Sequence, residues 1–203
     1  MLEGMAVHTE AIIRTERLNL EPIGPVHAER LWPLLRDAAL YAFIPEMPPP
    51  NVEALRARYE RWSRRGNVEG DEIWLNYACL LREEQWYVGT VQATVREESG
   101  ERTTRSRRRA LLAYMTIPSA WRRGFAHEAC NGLMHVLRDA FDVAVYEARV
   151  DTRNEASLGL LRSLGFEQVA RIDGADTFKG VVSDEFVFAR GAHSLPSLRL
   201  EVR

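Results

Sequence analysis

From Ile13 to Ile23 apolar and polar residues alternate, with Leu18 and Leu20 on one face and Pro22 near the end. A period of two predicts a β-strand. Between 24 and 43 the spacing turns helical: Val26, Leu31, Leu34 and Leu35 share one stripe, and Pro33 is expected to interrupt or kink it. A proline loop then leads to Asn51, a good N-cap, and Leu55, Tyr59 and Trp62 mark one face of a helix ending at Gly66. Segments 73–84 and 85–98 read as two strands joined by a charged turn, which makes a hairpin. A polar stretch, 99–109, precedes a further strand, 110–118, closed by Pro118.

Helical spacing returns with Ala126, Ala129, Leu133, Val136, Leu137 and Ala140, predicting a helix to about Phe141. A strand at 143–151 follows, then a helix capped by Asn154 and stopped by Gly165, then strands at 166–173 and 183–191. The segment 192–203 has no period and is expected to be a loose tail. The order β-α-α-β-β-β-α-β-α-β-β predicts an α/β (α+β) fold, a mixed sheet with helices on both faces.

Composition narrows the function classes. The 203 residues suit one domain, and 46% apolar content is enough for a sizeable core. A net charge of −2 gives no overall field toward nucleic acid or membrane. Two cysteines, Cys79 and Cys130, are too few for a disulfide scaffold and lack zinc-site spacing. The expectation is a cytoplasmic protein with reduced thiols and no metal. There is no apolar run long enough to cross a membrane and no signal peptide pattern at the first residues.

The stretch with chemical content is Trp121-Arg122-Arg123-Gly124-Phe125-Ala126, between a strand and a helix. A helix start exposes unpaired N–H groups and carries about half a positive charge. Small residues there let a phosphate approach, and the arginines can add charge-assisted contacts. Without a Lys-Ser/Thr pair it is not a Walker loop, and without three spaced glycines it is not a dinucleotide fold. Taken alone, the same residues fit a plain turn with two solvated arginines.

Its surroundings carry a resemblance. The stretch 121–129 resembles the acyl-CoA loop of the GNAT N-acetyltransferase superfamily, and Trp121 with Gly-Phe-Ala-x-Glu-Ala is similar to the RimJ/RimL ribosomal-protein alanine acetyltransferase branch. Arg122 departs from the glycine frequent in that branch. In the same order, 14–23 is similar to the branch's first strand, 113–118 to the strand beside the pantetheine arm, and 154–166 to its Asn-x-x-Ser helix. The resemblance covers about residues 12–190, leaving 191–203 as a C-terminal tail.

It implies a single-domain, largely antiparallel GNAT sheet and direct transfer of an acyl group, with acetyl-CoA as donor cosubstrate. The acceptor is a primary amine of a small molecule or of a protein N-terminus. Backbone N–H groups of Arg122, Arg123, Gly124, Phe125 and Ala126 would hold the pyrophosphate. Met115, Thr116 and Ile117 would pair with the pantetheine amides. Asn154 would cap its helix and touch coenzyme A, and Ser157 would serve as general acid. Many relatives use a tyrosine four residues further on, where this chain has Leu161. A coenzyme A-binding module of the same fold with weak or no catalysis is the alternative. The base is open between Glu147, Glu72 and water. Whether the protein is a monomer or a homodimer is open as well.

Other features weigh against other classes. Five arginines between Arg102 and Arg109 form a basic run without interleaved aromatics, which fits a solvated loop better than an RNA surface. The five histidines show no ligand spacing, and no nucleophile elbow is present. Trp32 and Trp62 lie on the early helices, where they would be core or acceptor-pocket aromatics.

Overall fold

A computed structural model describes residues 9–98, 107–196 and 201–202. The strands, in chain order, are β1 (Ile13–Arg14), β2 (Leu18–Pro22), β3 (Glu72–Leu81), β4 (Trp86–Glu98), β5 (Arg107–Thr116), β6 (Val143–Asp151), β7 (Glu167–Phe178), β8 (Val181–Gly191) and β9 (Glu201–Val202). The helices are α1 (Ala28–Leu31), α2 (Val52–Trp62), α3 (Phe125–Phe141) and α4 (Glu155–Ser163). All strands join one sheet in the order β7-β8-β6-β5-β4-β3-β2-β1-β9. Every neighbouring pair is antiparallel except β5 and β6.

The period-two pattern of β3 explains the layering. Tyr77, Cys79 and Leu81 enter one core, shared with α3 and α4, while Ala78 and Leu80 enter another, shared with α1 and α2. Successive strand side chains point to opposite faces, so one apolar run serves both layers. Helices on both faces and a largely antiparallel sheet follow, as the sequence predicts. Trp32 and Trp62 pack, partly buried, against the α1/α2 core, and the Trp32 indole donates to Pro49 O at 3.1 Å.

Several boundaries differ from the sequence expectation. The first strand is a tight pair, β1 and β2, because Thr15 N–H donates to Leu18 O at 2.9 Å and turns the chain. Alternation survives across both arms, so the pattern alone does not reveal the turn. The helix expected over 24–43 shrinks to α1 between two 3₁₀ turns, Pro25–His27 and Ala38–Tyr41. Pro33 has no N–H to continue the helix. α2 stops at Trp62 rather than Gly66, since Trp74 N–H donates to Arg65 O at 2.8 Å and draws residues 65–66 toward the sheet.

β5 starts at Arg107, inside the basic run, whose Arg102 and Arg105 lie outside the described residues. Arg108 bonds Phe141 O and pairs with Glu97, and Arg109 pairs with Glu147, so the run is not one solvated loop. The tail is also tied down where described. Leu195 is buried, Pro196 O lies 2.8 Å from the His135 ring of α3, and β9 pairs with β1. Its partners come from distant segments, which no local pattern encodes. Among the described residues no helix is long and apolar enough to cross a membrane.

Candidate active site

The sheet opens between β5 and β6. β5 and β6 pair in parallel from Arg108 opposite Val143 to Leu111 opposite Glu147, and no further. Beyond that point Leu112–Thr116 stay on β4, while Ala148–Asp151 stay on β8. The result is a V-shaped gap with Glu147 at its crotch.

The backbone of β5 alternates between this gap and β4. Ile117 N–H donates to Val88 O at 3.0 Å. Met115 O lies so close to Gly89 that a Cβ there would sit 2.0 Å from it. Met115 and Ile117 therefore direct their polar groups to β4, and Tyr114 and Thr116 direct theirs to the gap. Of the three strand residues named from sequence, Thr116 faces the gap, and its carbonyl accepts the Trp121 indole N–H at 2.5 Å. Tyr114 was missed; its signal is the strand's period, counted back from the closing Pro118.

Past β5, a 3₁₀ turn at Pro118–Ala120 leads into the loop. Arg122 (φ 57°) and Gly124 (φ 80°) are left-handed, with Arg123 between them not so. Changes of hand along a loop of this kind turn successive N–H groups toward one side. Gly124 is the N-cap of α3 and supplies no side-chain cap, so the first-turn donors of a 17-residue helix keep their outward valence. Phe125 is buried in the core, which leaves its backbone as the part available to the loop. Arg122 and Arg123 are exposed; Arg123 sits 4.9 Å from the Phe125 ring centroid.

A brace behind this loop has no counterpart in the sequence reading. Glu128, on the first turn of α3, accepts from Thr15 Oγ1 at 2.5 Å, from Arg17 N–H at 2.6 Å and from Arg17 Nε at 2.7 Å. Arg17 Nη1 also donates to Arg123 O at 3.0 Å, and its guanidinium stacks 4.6 Å from the Phe125 centroid. Burial works to raise the Glu128 carboxyl, but the bonds from Thr15 and Arg17 outweigh it and hold it below the usual range.

On the other wall of the gap, the Asn154 side chain accepts from Ser157 N–H at 3.2 Å, so Asn154 caps α4. Ser157 is half-buried, and Leu161 is buried in the core. The Tyr114 hydroxyl reaches across to Ser157, 3.5 Å from its carbonyl oxygen, and burial pushes the phenol pKa well up. The corner before α4 is fixed by Asp151, which takes Arg153 N–H and Nε at 2.8 Å each and Ser183 Oγ at 2.7 Å.

The two carboxylates proposed from sequence part company. Glu72 is occupied by Arg96 Nε at 2.6 Å and by the Trp74 indole at 2.6 Å, and so has a structural task. Glu147 stands at the crotch, held more loosely by Arg109 and Arg149 at 3.4 Å each. Its neighbour Tyr146 is buried on the α3 side with its hydroxyl donating to Met134 O at 2.6 Å, so Glu147 faces the α1/α2 side. On that side Lys179, at the β7–β8 turn, donates to the carbonyl oxygens of Tyr41 and of Ile44, the latter at 3.3 Å. No three His, Cys, Asp or Glu among the described residues are grouped to hold a metal.

A parallel strand pair that opens into a gap, followed by a glycine-capped helix start, defines an α/β protein with a cleft beside a helix N-terminus. The sequence profile described as Acetyltransferase (GNAT) domain matches residues 17–167, and the chain belongs to the GNAT family. A curated relative, the uncharacterized N-acetyltransferase p20 of Bacillus licheniformis, is 24% identical over 176 residues, 86% of this chain and 93% of the relative. Among solved structures, Mycobacterium smegmatis RimJ in complex with CoA-disulfide superposes with a TM-score of 0.77 at 18% identity, covering 92% of this chain and 90% of that one. The ribosomal-protein-S5-alanine acetyltransferase of Vibrio fischeri gives 0.73 at 14% identity, covering 92% and 99%. These structural likenesses establish the fold.

Proposed function

We propose that this GNAT protein is an N-acyltransferase that moves an acetyl group from acetyl-CoA to a primary amine, of a protein N-terminus or of a small molecule. Residues 12–190 carry the acyltransferase site in this reading, with 191–203 as a C-terminal segment that closes onto the same core and sheet through Leu195 and β9. The observation that carries it is the β5–β6 gap ending at the Gly124 helix start. Backbone N–H groups from Arg122 to Ala126 take the pyrophosphate, and the gap-facing backbone of Tyr114 and Thr116 pairs with the pantetheine amides. Met115 and Ile117 act from behind, by joining β5 to β4.

In this arrangement the thioester lies toward the crotch, where Glu147 receives the incoming ammonium and takes one proton from it, directly or through water. The neutral amine attacks the thioester carbonyl, the C–S bond breaks, and coenzyme A leaves as a thiolate. The Ser157 hydroxyl, at the α4 wall, gives its proton to that sulfur and regains the second proton lost from nitrogen. Asn154 orients Ser157 through its cap and is a second contact to the donor. Holding the two reactants in one gap supplies the larger share of the acceleration, and the leaving thiol is already a fair acid.

The test is direct. Calorimetry with acetyl-CoA and CoA measures donor binding, and a panel of amines followed by thiol release measures transfer. No binding at tens of micromolar donor would remove the reading. Leu161, buried where many relatives have a tyrosine acid, favours one second reading: a coenzyme A-binding module without turnover. Binding with no thiol release on any amine would select it.

A further inference from the structure

Arg17 lies in the β1–β2 turn, far along the chain from the loop it touches, and its guanidinium is turned to that loop and to the first turn of α3. Nε holds the Glu128 carboxylate, Nη1 donates to Arg123 O, and the guanidinium face covers Phe125. Nη2 is the atom that a Cβ on Gly124 would meet, at 3.3 Å. Glu128 in turn is locked by the Arg17 backbone and by Thr15, which also accepts Leu18 N–H at 3.1 Å. Turn and helix start are thereby one rigid unit.

The contact to Arg123 O has a directional consequence. In a trans peptide the carbonyl of one residue and the N–H of the next point opposite ways. With Arg123 C=O fixed on Arg17 Nη1, Gly124 N–H is aimed away from the guanidinium, to the open side of the loop. This is the side on which donors at a helix start meet an anion. Resting on the reading that this loop takes coenzyme A phosphate, we propose that Arg17 is a positioning residue for donor recognition: it aims the Gly124 N–H, with Glu128 and Thr15 holding it in place. A planar, forked guanidinium suits this task, because it serves a carboxylate and a carbonyl at once, which an ammonium cannot do with the same geometry.

The experiment measures the Kd of CoA and of pantetheine, which lacks the phosphates, for the full chain, R17K, R17M and R17M/E128Q, together with melting temperatures. R17K keeps a charge for Glu128, and the double variant leaves no orphaned carboxylate, so a folding defect in R17M alone does not decide the outcome. CoA is expected to weaken roughly tenfold or more in all three, the size of one lost charge-assisted hydrogen bond. Pantetheine binding stays as in the native chain. CoA binding at native strength in R17K and R17M/E128Q, or equal losses for CoA and pantetheine, would overturn the proposal. A native chain that binds no CoA would instead remove the donor reading itself.

Discussion

The Tyr114 hydroxyl on β5 lies 3.5 Å from the carbonyl oxygen of Ser157 on α4, so one hydrogen bond spans the two walls of the gap. Ser157 is held from a second direction by the cap from Asn154. Both bonds fix the Ser157 backbone, and with it the Cα from which the hydroxyl would reach a leaving sulfur in the proposed reaction. Ser157→Ala is expected to lower kcat by about a hundredfold, near the lower end for general acid catalysis, because a thiolate needs limited help. KM for acetyl-CoA stays within about twofold. Tyr114→Phe keeps the ring and loses only the bridge, and its kcat falls less, by under roughly tenfold. Steady-state thiol release on both variants checks the order; a larger loss in Tyr114→Phe than in Ser157→Ala contradicts it.

Glu147 stands where β5 and β6 part, opposite Leu111. Glu147→Gln keeps the shape and removes the proposed proton acceptor. At about pH 7 most amines are protonated, and the variant is expected to lose roughly ten- to a hundredfold in kcat/KM. As pH rises through the amine's own pKa the substrate arrives neutral, so the deficit should shrink. A deficit that is constant across the pH profile would show that the carboxylate acts by position alone.

Asp151 has a pKa lowered to about 2, first by its bonds from Arg153 and then by those from Ser183, against the opposing effect of burial. A depressed carboxyl pKa contributes stability above the unfolded value and loses it as pH falls through the folded one. Between about pH 4 and pH 2 the native chain therefore sheds this contribution. Asp151→Asn is expected to be less stable near neutrality and to lose less stability over that acid interval. Denaturant midpoints of both chains at several pH values measure the difference; parallel curves would refute the assignment.

Cys79 and Cys130 are both free and fully enclosed, and burial pushes the Cys130 thiol up to about 12 and Cys79 higher still. A thiol in that state is not a nucleophile. The folded protein should give no reaction with a thiol reagent over the time of an activity assay, and two equivalents after unfolding in denaturant. Rapid labelling of the native chain would show that α3 opens. Silent cysteines also mean that thiol release in an acyl-transfer assay reports coenzyme A.

Much of this architecture is legible as local pattern. α3, α4, β6 and the β3–β4 hairpin fall within a few residues of where periodicity and caps put them, because each carries its own face, N-cap or stop. The loop 121–126 was legible as a helix entry with small residues, and the motifs around it pointed to coenzyme A. The misplaced parts share a different origin. β1 and β2 merge in the sequence because alternation is blind to a turn, and the segment 192–203 looks loose because its partners, His135 and β1, lie far away in the chain. The basic run divides because Arg108 and Arg109 find Glu97 and Glu147 only once β5 is in the sheet.

By itself the sequence determined which residues could be strands and helices, the glycine-opened helix at Phe125 and the cap at Asn154, since these depend on neighbours a few residues away. Only the tertiary structure decided that β5 and β6 separate after Leu111 and Glu147, that Tyr114 and Thr116 rather than Met115 and Ile117 face the gap, and that Arg17 reaches Arg123 and Glu128. The reason is physical: hydrogen-bond direction, strand divergence and ion pairing are properties of which segments lie side by side, and a local pattern of apolar residues carries no record of that.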